Sequence, residues 1–339
     1  MGDRLRSLAA RLLRRRAPDP MLDLGFGSWD RLDSPVLAVC HPHWRGVRAA
    51  ARAFGDPLVA CDDLGRFGTE IVTGATASGV EVLVVHGYPP GTDVLLQAAH
   101  DAGLSTRAVM HSSMAQHGAE AWEAEVVTRL IGMAGAGVVD RIGFVKAGLA
   151  EAFRALDAPA VHTPNRSPRL PGFEPRDLGE GSHIGVFSEP FWRKNVVTQL
   201  GAAAILGGTA HVLARPPVGY LTPMRIVEHG ELPWPQFVAL QGSVDLNLYV
   251  TLSECHPMSP MESYLAGVPC LMSRTSEVFA DDKELWELTT VAEADNPASI
   301  ARVARRLLDH RPEAVERAQA WMRTADTRAA ERWSDFVAR

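Results

Sequence analysis

From Pro35 onward, short apolar runs alternate with segments whose apolar residues recur every three or four positions. SPVLAVCHP, PLVACDD, EVLVVHGYPPG, TRAVMHSS and AGVVDRIGFV are runs without polar alternation, as strands of a parallel sheet covered on both faces require. Between them, WRGVRAAARAFG (closed by Gly55), TDVLLQAAHDAG and EAWEAEVVTRLIGMAG carry helical spacing. The alternation stops at residues 163–182, TPNRSPRLPGFEPRDLGEGS, where four prolines, three arginines and three glycines mark a linker. It resumes with HIGVFS, the helical KNVVTQLGAAAILGG, then AHVLARPP, MRIVEH, DLNLYVTLSE, VPCLMSR and TTVAEA, and from Pro297 to Arg339 the pattern is helical. This layout predicts an α/β protein with two Rossmann-like, doubly wound parallel-sheet domains, because 339 residues exceed one ordinary core. The expected boundaries are 21–164 for the first domain, 165–182 for the Pro-rich linker and 183–325 for the second. A terminal helix over 326–339 could pack back on the first domain. Two such domains facing across a cleft are expected to bind ligands outside the carboxyl ends of their strands.

Composition narrows the function. The chain is 46% hydrophobic and 22% charged, ordinary for a globular protein rather than a disordered one. A net charge of −6 gives no basic footprint for nucleic acid, so none is expected as a partner. Cys40, Cys61, Cys255 and Cys270 are widely spaced, without a CxxC pair, and suit a reducing, cytoplasmic compartment. The first twenty residues differ: six arginines and two aspartates surround a stripe of Leu5, Leu8, Ala9, Leu12 and Leu13. The stripe is interrupted too often for a signal peptide or a spanning helix. A basic amphipathic helix over 1–20 is expected there, and peripheral contact through residues 1–16 with the inner face of the plasma membrane is one reading. A terminal helix packed on its own protein, or a frayed arm, is the other.

The candidate chemistry lies in residues 251–271, TLSECHPMSPMESYLAGVPCL, where Glu254 and Glu262 stand eight positions apart. Glu254 follows a strand and Glu262 is expected nearly two turns inside the following helix. A helix N-terminus offers unpaired N–H groups and a positive dipole end, which favour phosphate. A carboxylate at a strand end can accept hydrogen bonds from sugar hydroxyls, and a second one can take a ribose diol. That spacing is chemically sensible for a nucleotide sugar, although two glutamates eight apart are common.

DLNLYVTLSECHPMSPMESYLAGVPCLMS resembles the signature of retaining GT-B glycosyltransferases, glycosyltransferase family four. Ser253, Glu254, Glu262, Ala266, Gly267 and Pro269 fall in register with it. SEPFWRKNVVTQLGAAAIL resembles the family's basic loop and following helix, and EHGELPWPQFVALQGSVDLNLYV its base-binding loop. The resemblance covers about 140 residues of the second half well, and the first half only in general pattern. It implies a GT-B fold and a metal-independent hexosyl- or related glycosyltransferase. A sugar would pass with retention from a uridine or guanosine diphosphate donor to a glycan, lipid-linked or small-molecule acceptor. On this resemblance Glu254 faces the donor sugar, Glu262 holds the ribose, and Lys194 and Arg193 neutralise the leaving diphosphate. Asn195, His256, Met258, Ser259 and Gly46 are the further donor contacts it implies. His111, after TRAVM, matches a family histidine that touches the sugar, and His86 is a weaker candidate for the same wall.

Three positions depart from the family pattern. Glu189 stands where an arginine precedes the lysine by five residues, Gly46 is a lone glycine beside Trp44 and Arg45, and Glu-Cys-His-Pro replaces Glu-Gly-Phe-Gly. These departures keep open a catalytically inactive GT-B-like protein that binds a nucleotide sugar or glycan as a partner subunit. A nucleotide-sugar epimerase of the same architecture is a third reading. Trp44 and Trp234 are read as packing residues. The sequence has no Asp-x-Asp, HxxxH or Cys/His cluster, so neither a metal nor another cofactor is expected beyond the co-substrate donor. GxGxxG, a P-loop and Gly-x-Ser-x-Gly are absent too, which disfavours dehydrogenases, kinases and α/β-hydrolases.

Overall fold

Runs of valine and leucine, apolar on both faces, form the strands. In a computed structural model, which describes residues 23–24, 29 and 32–338, these strands make two parallel sheets. The basic helix expected over residues 1–20 and its membrane contact lie outside the described residues. The first sheet contains β1 (Asp23–Leu24), β2 (Val36–Cys40), β3 (Leu58–Ala60), β4 (Val82–His86), β5 (Ser105–Met110), β6 (Arg141–Phe144) and β7 (Ala160–His162). Their spatial order is β1-β3-β2-β4-β5-β6-β7. The second contains β8 (His183–Val186), β9 (Thr209–Val212), β10 (Ile226–Glu228), β11 (Leu246–Tyr249), β12 (Cys270–Ser273) and β13 (Thr290–Val291), in the order β10-β9-β8-β11-β12-β13. Each strand pair is parallel. Every residue of β2 and β4 is buried, because helices cover both faces of the sheet.

The chain divides into two compact units. One comprises the residues through His111 together with 120–164 and 330–339; the other comprises 112–119 and 165–329. The first core gathers Leu37, Val39, Ile71, Leu83, Val85 and Leu95; the second gathers Ile184, Leu200, Val212, Leu248, Leu271 and Ile300. Residues 163–182 hold no helix or strand. Apart from the edge strand β1, the direction of strand addition reverses once in each sheet, between β2 and β4 in the first and between β8 and β11 in the second. There the loops leaving two neighbouring strands diverge and open a crevice for ligands.

Several elements escape the hydrophobic pattern. The helix Leu64–Ala77 contains Gly65, Gly68 and Gly74, residues that weaken an isolated helix. It forms because Asp63 caps it, accepting from the Arg66 N–H at 3.1 Å, and because Ile71, Val72 and Ala75 enter the first core. Gly91 faces it at φ +80°, and a Cβ there would lie 1.9 Å from the Gly65 nitrogen, so position 91 admits no side chain. The three-residue strand β7 is likewise hidden in a short, alanine-rich stretch. The last helix runs Arg311–Val337, far longer than a segment over 326–339. Its final residues pack within the first unit. The Trp333 ring stacks on Phe54 at 4.0 Å, the indole donates to Asp56 Oδ2 at 2.7 Å, and Arg107 donates to the Ala338 carbonyl at 2.7 Å. Among the described residues no helix is long and apolar enough to cross a membrane.

Three histidines form a chain across β8, β9 and the residue after β10. His183 Nε2 lies 3.2 Å from the Gly179 carbonyl, His183 Nδ1 lies 2.9 Å from His211 Nε2, and His211 Nδ1 lies 2.9 Å from His229 Nε2. A carbonyl only accepts, so His183 carries its proton on Nε2, and the remaining bonds are satisfied when His211 and His229 do the same. A charged ring in the middle would turn an acceptor into a second donor. Burial, with His229, His183 and Arg225 close by, pushes His211 down from 6.5 to about 4. Its folded value is depressed, so its contribution is complete above about pH 6.5 and is lost as pH falls toward 4. Melting temperatures between pH 7.5 and 5 should therefore fall more steeply for the wild type than for His211→Gln. Parallel slopes would show that the chain does not titrate with folding.

Candidate functional site

The site is built on the crevice between β8 and β11, whose ladders align Ile184 with Leu246 and Gly185 with Asn247. After β8 the chain makes a single 3-10 turn, Trp192–Lys194, and then Asn195 takes a left-handed conformation at φ +54° before the helix Val196–Leu206. Asparagine tolerates that conformation better than most residues. Its amide Nδ2 donates to the Val250 carbonyl at 3.0 Å and to the Ala294 carbonyl at 2.6 Å. Gln199 Nε2 donates to the Lys194 carbonyl at 2.7 Å, and its Oε1 accepts from the Val250 N–H at 2.9 Å. The Leu252 N–H donates to the Arg193 carbonyl at 2.8 Å. The two loops are thus sewn together by buried polar groups, and Asn195 commits its amide hydrogens to that scaffold.

The tight turn brings two consecutive basic side chains to one carboxylate. Arg193 Nη1 donates to Glu254 Oε1 at 2.8 Å, and Lys194 Nζ donates to the same oxygen. Tyr249, the last residue of β11, donates its hydroxyl to that oxygen at 3.1 Å and accepts from Lys194 Nζ at 2.5 Å. Burial alone would raise the Glu254 pKa, but the charges of Lys194 and Arg193 and the hydrogen bonds from Lys194 and Tyr249 outweigh it and hold the carboxyl below its usual range. Burial pulls Lys194 down against the opposing pull of Glu254. Burial, then the Glu254 charge, pushes the Tyr249 phenol well above 10, so it stays protonated. Two cations thus converge on one buried carboxylate, and the Glu189 charge also reaches Lys194. Adjacent side chains ordinarily point apart, but the 3-10 turn and the left-handed Asn195 fold the loop back so that both reach Glu254.

Glu262 sits differently from its expected place. Pro257 is extended (φ −70°, ψ 143°) at the N-cap, so the helix begins only at Met258 and runs to Leu265. Glu262 is its fifth residue, little more than one turn inside. β11 also ends at Tyr249, so Glu254 lies five residues beyond the strand rather than directly at its end. Glu262 is buried at 4% exposure and accepts from the Trp234 indole N–H at 3.2 Å. Burial raises its pKa from 4.5 to about 7, with the Trp234 bond opposing. Trp234 is therefore a partner of the carboxylate and not merely a packing residue.

The other expected contacts are divided between the two units. His256 is buried, and its carbonyl accepts from Asn165 Nδ2 at 2.6 Å. Met258 is buried in the first helical turn, and the carbonyl of Ser259 accepts from Gln241 Nε2 at 2.9 Å. His111 belongs to the first unit, directly after β5, with Nε2 3.3 Å from Nδ1 of the fully buried His86; burial pushes it to about 4. Gly46, also in the first unit, is exposed as the second residue of the helix Arg45–Phe54, and a Cβ there would meet nothing within 4 Å. Nothing in its surroundings demands glycine. Among the described residues no group of three or more histidine, cysteine, aspartate or glutamate side chains is arranged to hold a metal ion. Tyr249 and Trp234 escape sequence reasoning, yet a phenol closing a buried parallel strand is a polar group that needs a partner, and that signal is present in the chain.

Glu262 gives a test of this geometry. Its folded pKa is raised, so its stabilising contribution is present below about 4.5 and is lost as pH rises through about 7. At pH 8 the buried charge costs the free protein roughly 3 kcal/mol at most. Glu262→Gln should raise the melting temperature at pH 8, and the gain should shrink toward pH 5. An unchanged or lowered melting temperature at pH 8 would contradict the buried, ligand-free carboxylate.

Comparison with known proteins gives the fold. No family model matches the chain, and no curated protein sequence matches it. Among solved structures it is similar to sucrose-phosphate synthase from Thermosynechococcus elongatus, with a TM-score of 0.57, 15% identity, and coverage of 89% of this chain and 94% of that one. It is similar to a UDP-forming α,α-trehalose-phosphate synthase from Burkholderia xenovorans in complex with glucose-6-phosphate, with a TM-score of 0.55, 14% identity, and coverage of 80% and 77%. A Listeria monocytogenes protein assigned as a UDP-N-acetylglucosamine 2-epimerase matches with a TM-score of 0.60, 13% identity, and coverage of 89% and 96%. At these identities the likeness speaks for architecture, and the architecture is the α/β GT-B fold.

Proposed function

We propose that the protein is a retaining, metal-independent glycosyltransferase that moves a sugar from a uridine or guanosine diphosphate donor to a glycan, lipid-linked or small-molecule acceptor. The observation that carries this reading is the pairing of Arg193 and Lys194 with Glu254 at the reversal point of the second sheet. Glycosyl transfer breaks the bond between the anomeric carbon and the diphosphate oxygen, and negative charge grows on the departing phosphate. Fixed cations stabilise that charge more in the transition state than in the ground state. Lys194 and Arg193 supply them, while Glu254 orients the sugar and offsets positive character at the reacting carbon. The acceptor oxygen bonds to the anomeric carbon on the same face, and its proton passes to a phosphate oxygen of the leaving group. Glu262 takes the ribose diol. Hydroxyl donors favour its charged form, so donor affinity should rise with pH through about 7. The N–H groups of His256, Met258 and Ser259, the side chain of His111, and Gly46 enter this reading from the sequence resemblance alone, as does Asn195, whose amide hydrogens are already held by the Val250 and Ala294 carbonyls. Two of the structural neighbours support the reading by their own names: the trehalose- and sucrose-phosphate synthases are enzymes of sugar transfer.

The test is transfer from a panel of UDP and GDP sugars to sugar-phosphate, lipid-linked and oligosaccharide acceptors, with the product's anomeric configuration read by NMR. Lys194→Ala and Glu262→Ala should each lower turnover by about 100-fold or more, and chelators should leave it unchanged. Nucleotide binding without turnover on the whole panel would favour the inactive partner protein. Altered free sugar nucleotide released without any acceptor would favour the epimerase.

A further inference from the structure

Glu254 Oε1 accepts from Arg193, Lys194 and Tyr249 together. In the transferase reading, on which this inference rests, that carboxylate must also turn to the donor sugar, and Lys194 then loses its anionic partner. Lysine carries a compact charge on a flexible four-carbon stem, and a freed ammonium would sample many rotamers. Tyr249 is a second holder already in place. Its hydroxyl lies 2.5 Å from Lys194 Nζ, and the ammonium lies over its ring, 4.8 Å from the centroid. The phenol is anchored by the sheet, because Tyr249 closes β11 and pairs with Met272 of β12 in the ladder. Its single proton suits this position, since the hydroxyl donates to Glu254 and leaves an oxygen lone pair for the ammonium.

We propose that Tyr249 is a positioning residue that keeps the Lys194 ammonium at the phosphate position when Glu254 turns from Lys194 to the donor sugar. It touches no reacting atom and acts through Lys194. Tyr249→Phe retains the ring beneath the ammonium and removes only the hydroxyl, so a purely structural role predicts near-normal behaviour. A positioning role predicts a fall in kcat of about tenfold or more with donor KM changed by less than about threefold.

The chain has three lysines, Lys146, Lys194 and Lys283, so each can be followed by NMR after 13C-lysine labelling and assigned by single Lys→Arg replacements. In the unliganded protein the Lys194 titration should move down by about one pH unit in Tyr249→Phe, while Lys146 and Lys283 stay put. The basic limb of the pH–rate profile with UDP-glucose, or whichever donor turns over, should move with it. A Lys194 titration identical in wild type and Tyr249→Phe overturns the proposal, as does an unchanged kcat. Wild-type protein that turns over no donor refutes the transferase reading instead, and the Lys194 titration still decides whether the phenol holds the ammonium. Circular dichroism and the melting temperature of Tyr249→Phe confirm that the variant is folded when these readings are taken.

Discussion

One carboxylate oxygen carrying three donors organises the second unit's chemistry. Glu254 Oε1, on the loop leaving β11, accepts from Arg193 and Lys194 on the loop leaving β8 and from Tyr249, which closes β11. Such a buried ion cluster is not a general source of stability, since desolvation offsets much of the attraction. Its consequence is placement. The ions pin the two loops at the point where the strand order reverses. The scaffold beneath it is uncharged: Asn195 and Gln199 join the same loops through backbone groups of Lys194, Val250 and Ala294.

The fold is legible in the sequence because its strands are buried on both faces. A parallel strand without polar alternation has few alternatives once helices flank it, and β2, β4, β5, β8, β11 and β12 all lie within runs recognised that way. What escapes is held by tertiary contact rather than by local pattern. The helix Leu64–Ala77 depends on the cap at Asp63 and on the glycine-to-glycine approach of Gly65 and Gly91, neither of which leaves a hydrophobic signature. The start of the helix carrying Glu262 is also obscured, because a proline can close a loop or open a helix, and only the extended backbone at Pro257 decides which.

The site is legible by halves. Residue types and spacing single out Glu254 and Glu262, and the resemblance to family four adds Lys194 and Arg193; the structure brings the side chains of Arg193 and Lys194 onto one oxygen of Glu254. Sequence spacing says nothing of how a turn folds. Arg193 reaches Glu254 only because of the 3-10 turn and the left-handed Asn195. Trp234 and Tyr249 could not be assigned from the chain alone, since each is aromatic and the pattern of apolar positions accommodates both as core. Their polar atoms matter only because Glu262 and Glu254 are buried beside them.

In the proposed transferase, Arg193 and Lys194 serve a donor diphosphate, and Glu254 competes with it for them. Calorimetric titration of UDP into wild type and Glu254→Gln tests it most directly. Removing the competing charge should make UDP bind more tightly to the variant, even though the same change should abolish sugar transfer. Equal or weaker UDP binding by Glu254→Gln, in a variant with unchanged circular dichroism, would mean that the cations are committed to holding the loops together and not to a phosphate.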